Sequence, residues 1–139
     1  MGNAAGAADA QRAPISENDI GTAILTAAFK VHSALGPGLL ENAYSMCLNM
    51  ELTAAHHSVR REITLPLEYA GQVVRNAFRI DMLVDERVVV EIKAQDGLTA
   101  VHRAQVLSYM RLGKFRLGYL LNFNVAQFRT GIVRLANGL

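Results

Sequence analysis

Hydrophobic residues recur at helical spacing in two segments near the start of the chain. One face of the first segment carries Ile20, Ala23, Ile24, Ala27, Ala28 and Val31. This spacing predicts an amphipathic helix, with Ser16 as its N-cap and Gly36-Pro37-Gly38 as its end. A second helix is predicted from about residue 39 to 56. Its apolar stripe is Leu40, Ala43, Tyr44, Cys47 and Met50.

Three strand-like segments follow, because short runs of apolar and β-branched residues are separated by turn residues. They cover residues 59–69, 73–84 and 87–94. The short links between them predict an antiparallel meander. Pro66 lies inside the first segment, which places this strand at a sheet edge or at a bulge.

A third helix and one or two further strands complete the pattern. The helix is predicted from about residue 99 to 112, and the apolar strand 117–123 follows it. This strand is expected to run parallel to the third strand through a right-handed crossover. Residues 128–139 could add one short strand. The order predicts an α/β domain with a mixed sheet over residues 15–139, preceded by a disordered tail, residues 1–14.

Composition places the chain among ordinary globular domains. It has 139 residues, of which 51% are hydrophobic and 19% charged, and this balance excludes a disordered chain. The net charge of +2 gives no strong indication of a partner. Most basic residues are arginines, and the bidentate guanidinium suits phosphate, so the balance leans slightly towards nucleic acid.

Cysteine content and hydropathy predict a cytoplasmic protein without a membrane partner. Cys47 is the single cysteine, which excludes an internal disulfide and a four-cysteine iron–sulfur cluster. The longest apolar stretch, residues 20–29, is too short to span a membrane. The first 14 residues lack the basic and apolar regions of a signal peptide.

Charged residues interrupt the most strand-like segment of the chain, VVVEIKA. Because side chains alternate along a strand, Glu91 and Lys93 share one face. Asp81 is a second unexpected charge, on the preceding strand. Counting back through the tight turn places Asp81 roughly opposite Val90 or Glu91.

Two carboxylates meeting over a sheet repel each other unless a cation lies between them. A hard divalent ion such as Mg²⁺ resolves this, since it takes one or two carboxylates together with phosphate and water. An ammonium group beside the ion could then hold a water molecule or neutralise charge that develops on phosphate. The alternative is a structural Glu–Lys or Asp–Lys ion pair on a half-exposed strand.

Two further polar pairs are spaced to share helix faces. Gln105 and Tyr109 are four residues apart on the third helix, with His102 nearby. Glu41 and Tyr44 are three apart on the second helix. Taken alone, either pair is also typical of an ordinary polar helix edge.

Together these residues resemble the PD-(D/E)xK nuclease superfamily. Asp81, then Glu91-Ile92-Lys93, supply its core motif, and Gln105-x-x-x-Tyr109 is similar to the motif of its RecB-type branch. The stretch GLLENAY, residues 38–44, resembles the signature of the GxxExxY protein family. The resemblance covers roughly residues 16–139. It implies a restriction-endonuclease-like core of α-β-β-β-α-β order, with an extra N-terminal helix.

The resemblance also implies a metal site. Asp81 and Glu91 would bind Mg²⁺ or Mn²⁺, with the carbonyl oxygen of Ile92 as a third ligand, and Glu41 would reach the metal or the water. Ile80 stands where the superfamily's name has proline, a position that often lacks it.

Further roles follow from the same resemblance. Lys93 would position the attacking water, and Gln105 and Tyr109 would orient the lysine or a backbone phosphate. His32 could face the site, without an assigned role. The function implied is a Mg²⁺-dependent nuclease that cuts DNA. The alternative is a non-catalytic nucleic-acid-binding or self-assembling module. A lone domain of this size has little surface for DNA, so a homo-oligomer is a further possibility.

Overall fold

Three helices and five strands make up residues 15–139, the part of the chain that this computed structural model describes. The helices are α1 (Glu17–Leu35), α2 (Glu41–Ala54) and α3 (Ala100–Gly113). The strands are β1 (Val59–Tyr69), β2 (Gln72–Val84), β3 (Val88–Lys93), β4 (Leu117–Asn122) and β5 (Ile132–Ala136), with a 3₁₀ turn, Phe128–Gly131, before the last. This order is the predicted one. The predicted tail, residues 1–14, lies outside the described residues.

The strands form one mixed sheet in the order β1-β2-β3-β4-β5. The first three strands are an antiparallel meander, β4 is parallel to β3, and β5 is antiparallel to β4. The crossover through α3 therefore joins parallel neighbours, as predicted. Both expectations for Pro66 are confirmed, because β1 is an edge strand and its register shifts between Leu65 and Leu67.

Helix α1 begins and ends where its sequence signals predict. Ser16 Oγ accepts the amide of Asp19 at 3.1 Å, while Asp19 accepts the amide of Ser16 at 3.2 Å. This reciprocal capping satisfies two amide groups that have no partner within the helix. Gly36 ends the helix with φ +66°, a conformation that costs glycine little. Among residues 15–139, no helix has the length and apolar character needed to cross a membrane.

The predicted apolar stripe of α2 is partly wrong. Tyr44, Leu48 and Leu52 are buried, whereas Leu40 and Met50 are 82% and 65% exposed. Leu40 is the N-cap and precedes the first turn of the helix. The buried residues recur every fourth position and follow the face that meets α1 and the sheet, so a stripe drawn through Met50 drifts off that face.

Helices cover both faces of the sheet, with α1 and α2 on one face and α3 on the other. Side chains of β1 and β2 change faces at the same level. Val59 and Met82 pack with α1 and α2, whereas Ile63 and Ile80 pack on the α3 side. Residues of one strand that are an even number apart normally share a face, so the alternation is interrupted on both strands. Glu62 stands at this break with φ +51°.

Candidate active site

Strands β2 and β3 separate at the predicted carboxylates. Their last paired residues are Met82 and Val90, so Asp81 and Glu91 come next, as the count through the turn predicts. From this point, hydrogen bonds between backbone amides and side chains replace the backbone–backbone hydrogen bonds that join the two strands. The amide of Asp81 donates to Glu91 Oε1 at 3.0 Å, and the amide of Ile92 donates to Asp81 Oδ2 at 3.0 Å. Each carboxylate is therefore fixed by the backbone of the opposite strand.

Glu91 also lies close enough to Asp81 for the charge of Asp81 to act on its carboxyl group. Glu91 is only 4% exposed. Its burial, followed by the nearby charge of Asp81, raises the pKa of Glu91 to about 8, although the amide of Asp81 and the charge of Lys93 oppose this shift. Burial and the charge of Asp81 both disfavour ionisation of Glu91, because its negative charge would lie away from water and close to another one. A bound divalent cation would offset the repulsion between the two carboxylates.

Lys93 and Glu41 reach the same neighbourhood from two other elements. Lys93 is half-buried at the end of β3, and Glu41 is the first residue of α2. Burial and then the charge of Asp81 raise the pKa of Glu41, while Lys93 lowers it. Glu41 therefore lies close enough to Asp81 and Lys93 for both charges to act on it.

A cleft of about 200 Å³ opens between α2 and the separating strands. Its lining residues are Glu41, Asn42, Ser45, Glu62, Arg79, Asp81 and Ile92. Arg61 of β1 fixes one wall, because its guanidinium donates to Ser45 Oγ at 3.1 Å and to Asn42 Oδ1 at 3.2 Å. These bonds hold the first turn of α2, and with it Glu41, beside the sheet.

Helix α3 brings the predicted Gln105 and Tyr109 to the other side of the carboxylates. Burial, followed by the charge of Glu91, raises the pKa of the Tyr109 hydroxyl, and a hydrogen bond with Gln105 opposes this. Asp81 contributes in the same direction as Glu91. The Tyr109 ring stacks on Phe78, with 5.1 Å between ring centroids. Of the predicted site residues, Glu41, Asp81 and Ile92 line the cleft, whereas Glu91, Lys93, Gln105 and Tyr109 are not among its lining residues. Tyr109 is connected to the carboxylates through the charges of Glu91 and Asp81.

Two histidines singled out in the sequence, His32 and His102, have structural contacts instead. His32 Nε2 lies 2.7 Å from the carbonyl oxygen of Val125, and its ring stacks on Phe128. His102 caps α3, with Nδ1 accepting the amide of Thr99 at 3.0 Å. These contacts direct the His32 ring towards Val125 and Phe128, so the expectation that it faces the site is not supported.

Tyr44 fixes the turn that precedes Glu41. Its hydroxyl donates to the carbonyl oxygen of Gly36 at 2.6 Å and accepts the amide of Leu39 at 3.1 Å. The ring stacks on Phe123, with 4.7 Å between centroids. The Glu41–Tyr44 spacing therefore combines one residue of the site with one that holds the entry to α2.

Sequence reasoning missed two charged residues of the cleft, Arg79 and Glu62. Arg79 is two positions before Asp81 on β2, so strand alternation alone could have placed both on one face. Glu62 could not be found in this way. Its place beside Asp81 depends on the register between β1 and β2 and on the interrupted alternation described above.

The carboxylates fit a small, hard metal ion. Asp81 and Glu91 supply oxygen ligands, and Mg²⁺ is commonly bound by one or two carboxylates while it keeps several waters. Within residues 15–139, no group of three or more His, Cys, Asp or Glu side chains is arranged to hold a metal. The donor set therefore corresponds to two carboxylates, with the carbonyl of Ile92 and Glu41 as the predicted additions.

Stability without metal should fall as the pH rises from about 5 to about 8. Below its ordinary pKa of 4.5, Glu91 is protonated in both folded and unfolded chains, so the stability is fully present. At higher pH the unfolded chain ionises first, and stability is lost until the pH passes about 8. Each pKa unit is worth about 1.4 kcal/mol, so we expect the melting temperature to drop on the order of 10 °C.

Thermal melts in EDTA across this pH range measure the effect, with Glu91→Gln as the matched variant. The glutamine keeps an oxygen that can accept the amide of Asp81 but cannot ionise. Its melting temperature should therefore change much less with pH than that of the wild type. Parallel curves for the two proteins would contradict the assignment of a raised pKa to Glu91.

Comparison with known proteins agrees with this geometry. A family model described as the PD-(D/E)XK nuclease superfamily matches residues 18–135, which run from α1 into β5. No curated protein and no solved structure matches the chain. The order of α2, β1, β2, β3, α3 and β4 is the α-β-β-β-α-β order expected of the restriction-endonuclease-like core, with α1 as the extra N-terminal helix. The chain belongs to the PD-(D/E)XK nuclease superfamily.

Proposed function

We propose that this protein is a deoxyribonuclease that uses Mg²⁺ or Mn²⁺ to hydrolyse phosphodiester bonds. The observation that carries the proposal is the fixed pair of Asp81 and Glu91 at the point where β2 and β3 separate, with Lys93 two residues further along β3. We further propose that the chain lies in the RecB-type branch and the GxxExxY family, on the residues that resemble their motifs.

The proposed metal ligands are Asp81, Glu91 and the carbonyl oxygen of Ile92, with Glu41 reaching either the metal or the attacking water. When bound, the ion would offset the two carboxylate charges and polarise an oxygen of the phosphodiester. The amides of Asp81 and Ile92 preorganise the pair, because each holds one carboxylate oxygen in place before any ligand arrives. Little reorganisation is then needed when the substrate binds.

Lys93 and Glu41 are proposed to act on the attacking water. The Lys93 ammonium would donate a hydrogen bond to this water and stabilise negative charge that develops on the phosphate. Glu41 would accept the water's proton, since its raised pKa brings it closer to neutral pH and makes it a better base. The new P–O bond forms from the water oxygen as the ester P–O bond breaks, and the leaving oxygen takes a proton from solvent.

Tyr109 and Gln105 are proposed to contact a backbone phosphate. Burial and the charge of Glu91 raise the pKa of Tyr109, which favours the protonated hydroxyl that can donate a hydrogen bond to a phosphate oxygen. We name DNA as the substrate because this pair is similar to the motif of RecB-type exonucleases. The alternative, a non-catalytic nucleic-acid-binding or self-assembling module, uses the same surface without the chemical step.

A substrate panel tests the proposed activity. Linear duplex, circular duplex and single-stranded DNA, together with RNA, are incubated with Mg²⁺, Mn²⁺ or EDTA. We expect cleavage of at least one DNA form that depends on the metal. Asp81→Asn, purified in the same way, controls for contaminating nucleases. Binding without cleavage of any form would favour the non-catalytic module, and cleavage restricted to RNA would contradict the proposed substrate.

We also propose that the protein works in the cytoplasm and assembles as a homo-oligomer. A single domain over residues 15–139 offers little surface for binding DNA beyond the cleft itself. A second copy would extend that surface and could hold both strands. Light scattering coupled to size exclusion, with and without DNA, measures the mass; a monomer under both conditions would contradict the proposed assembly.

A further inference from the structure

Within the part of the chain that the structure describes, Arg79 is the one basic side chain that lines the acidic cleft. The other ionisable lining residues, Glu41, Glu62 and Asp81, are acids that would repel an approaching phosphodiester. Arg79 is exposed and lies on β2, two residues before Asp81. Its charge also lowers the pKa of Tyr109. The guanidinium is therefore close enough to influence the α3 side of the site while it lines the cleft on the α2 side.

Within residues 15–139 the Arg79 guanidinium makes no ion pair, although carboxylates line the same cleft. Other arginines are held by acids: Arg60 by Glu86 at 3.0 Å and Arg87 by Glu17 at 2.7 Å. Asp81 uses one of its oxygens to accept the amide of Ile92. The N–H groups of Arg79 are therefore available to a ligand, and a planar guanidinium can donate two parallel hydrogen bonds to the oxygens of a phosphate.

We infer that Arg79 is a phosphate-contacting residue of this site, which binds the nucleic-acid backbone as it enters the cleft. The inference rests on the proposed function in so far as the ligand is a nucleic acid. One positive charge at this position would offset repulsion from the cleft acids and set the direction from which the backbone approaches the carboxylates. Because the contact is to phosphate, it would carry no sequence preference.

Binding measurements test Arg79 separately from the chemical step. Fluorescein-labelled single-stranded and duplex DNA are titrated with wild type, Arg79→Ala and Arg79→Lys in Ca²⁺ at several salt concentrations. A charged hydrogen bond is worth about 1.5–3 kcal/mol, so Arg79→Ala should weaken binding roughly 10- to 100-fold. The logarithm of the affinity should also fall less steeply with the logarithm of the salt concentration, by about the amount that one phosphate contact contributes. Arg79→Lys should fall between, because lysine keeps the charge but lacks the planar fork.

Arg75→Ala is the matched control, since Arg75 is exposed on the same strand but does not line the cleft. It should bind DNA within about twofold of the wild type. Arg79→Ala should also keep the metal-induced rise in melting temperature, which separates loss of a phosphate contact from damage to the metal site. In a cleavage assay it should raise KM far more than it lowers kcat, as expected for a contact made equally in ground and transition states.

Each outcome decides between the two proposals. If Arg79→Ala binds like Arg75→Ala, with the same salt dependence, the inference about Arg79 is overturned whatever the cleavage result. If the wild type binds DNA but cuts nothing while Arg79→Ala still loses affinity, the contact stands and the proposed nuclease activity fails. If the wild type binds no nucleic acid at all, both proposals fail.

Discussion

Lys93→Ala is expected to bind DNA nearly as tightly as the wild type but to cleave it roughly 10²- to 10³-fold more slowly. The ammonium acts on the attacking water and on charge that develops in the transition state, so its loss falls mainly on the chemical step. The backbone of Lys93 is held independently of its side chain, because its carbonyl oxygen accepts the amide of Phe123 at 2.9 Å. Truncation should therefore leave β3 in place.

Lys93→Arg should not restore cleavage, because a guanidinium is larger and its charge is delocalised over a planar group. A second consequence separates Lys93 from an ordinary phosphate contact. Lys93 lowers the pKa of both Glu41 and Glu91, so removing it should shift the acidic limb of the remaining activity to higher pH. An ordinary phosphate contact would leave this limb where it is.

Single-turnover cleavage of labelled DNA, compared with equilibrium binding in Ca²⁺, measures both effects. Arg75→Ala is a suitable control for loss of one positive charge, since Arg75 is exposed and lies outside the cleft lining. If Lys93→Ala loses affinity in proportion to its loss of cleavage, Lys93 serves binding alone, and the enzymatic role assigned to it is wrong.

The order of the elements could be predicted because local signals agree with the tertiary structure along most of the chain. Ser16 caps α1 as predicted, and Gly36 takes the positive φ that ends it. The predicted bounds of β1 match Val59–Tyr69, and Pro66 predicts an edge position or a bulge, of which the strand has both. These features depend on residues that are close together in the sequence, so the sequence alone was enough to predict them.

The apolar face of α2 could not be predicted in the same way. Alanine, cysteine and methionine give it a weak pattern, and the contact of Tyr44 with Phe123 decides which side is buried. Phe123 is far away in sequence. The exposed Met50 and Leu40 show that an apolar residue on a helix need not mark its buried face.

The core of the site was predictable for a related reason. Asp81 and Glu91 are separated by one tight turn, so counting along two strands was enough to bring them together. The cleft around them could not be predicted in this way. The alternation of side chains between the two sheet faces is interrupted at the same level on β1 and β2, and Glu62 adopts a left-handed conformation there. This break decides which residues face α2, and the local sequence Arg61-Glu62-Ile63 contains no pattern that predicts it.

Asp81→Asn is expected to abolish the rise in melting temperature that Mg²⁺ or Mn²⁺ produces in the wild type. Metal binding to the folded state stabilises it by about 2.7 kcal/mol when the free ion is at 100 times its Kd. For a domain of this size that is a shift on the order of 10 °C. The asparagine loses the charge that attracts the ion but keeps an oxygen that can accept the amide of Ile92.

In EDTA the same variant should melt at or above the temperature of the wild type at neutral pH, because the charge of Asp81 no longer opposes ionisation of the buried Glu91. Asp81→Ala should instead melt lower than Asp81→Asn, since it leaves the amide of Ile92 without its acceptor. Comparing the two variants therefore separates the charge of Asp81 from its hydrogen bond.

Glu62→Gln is the matched control for this pair of variants, since Glu62 lines the cleft from β1 but does not share the hydrogen bonds of the carboxylate pair. It should keep most of the metal-induced shift. Equal shifts in wild type and Asp81→Asn would place the ion elsewhere, and a shift lost only in Glu62→Gln would place it on the β1 side of the cleft. Loss confined to Asp81→Asn and Glu91→Gln would tie metal binding to the pair that β2 and β3 hold in place as they separate.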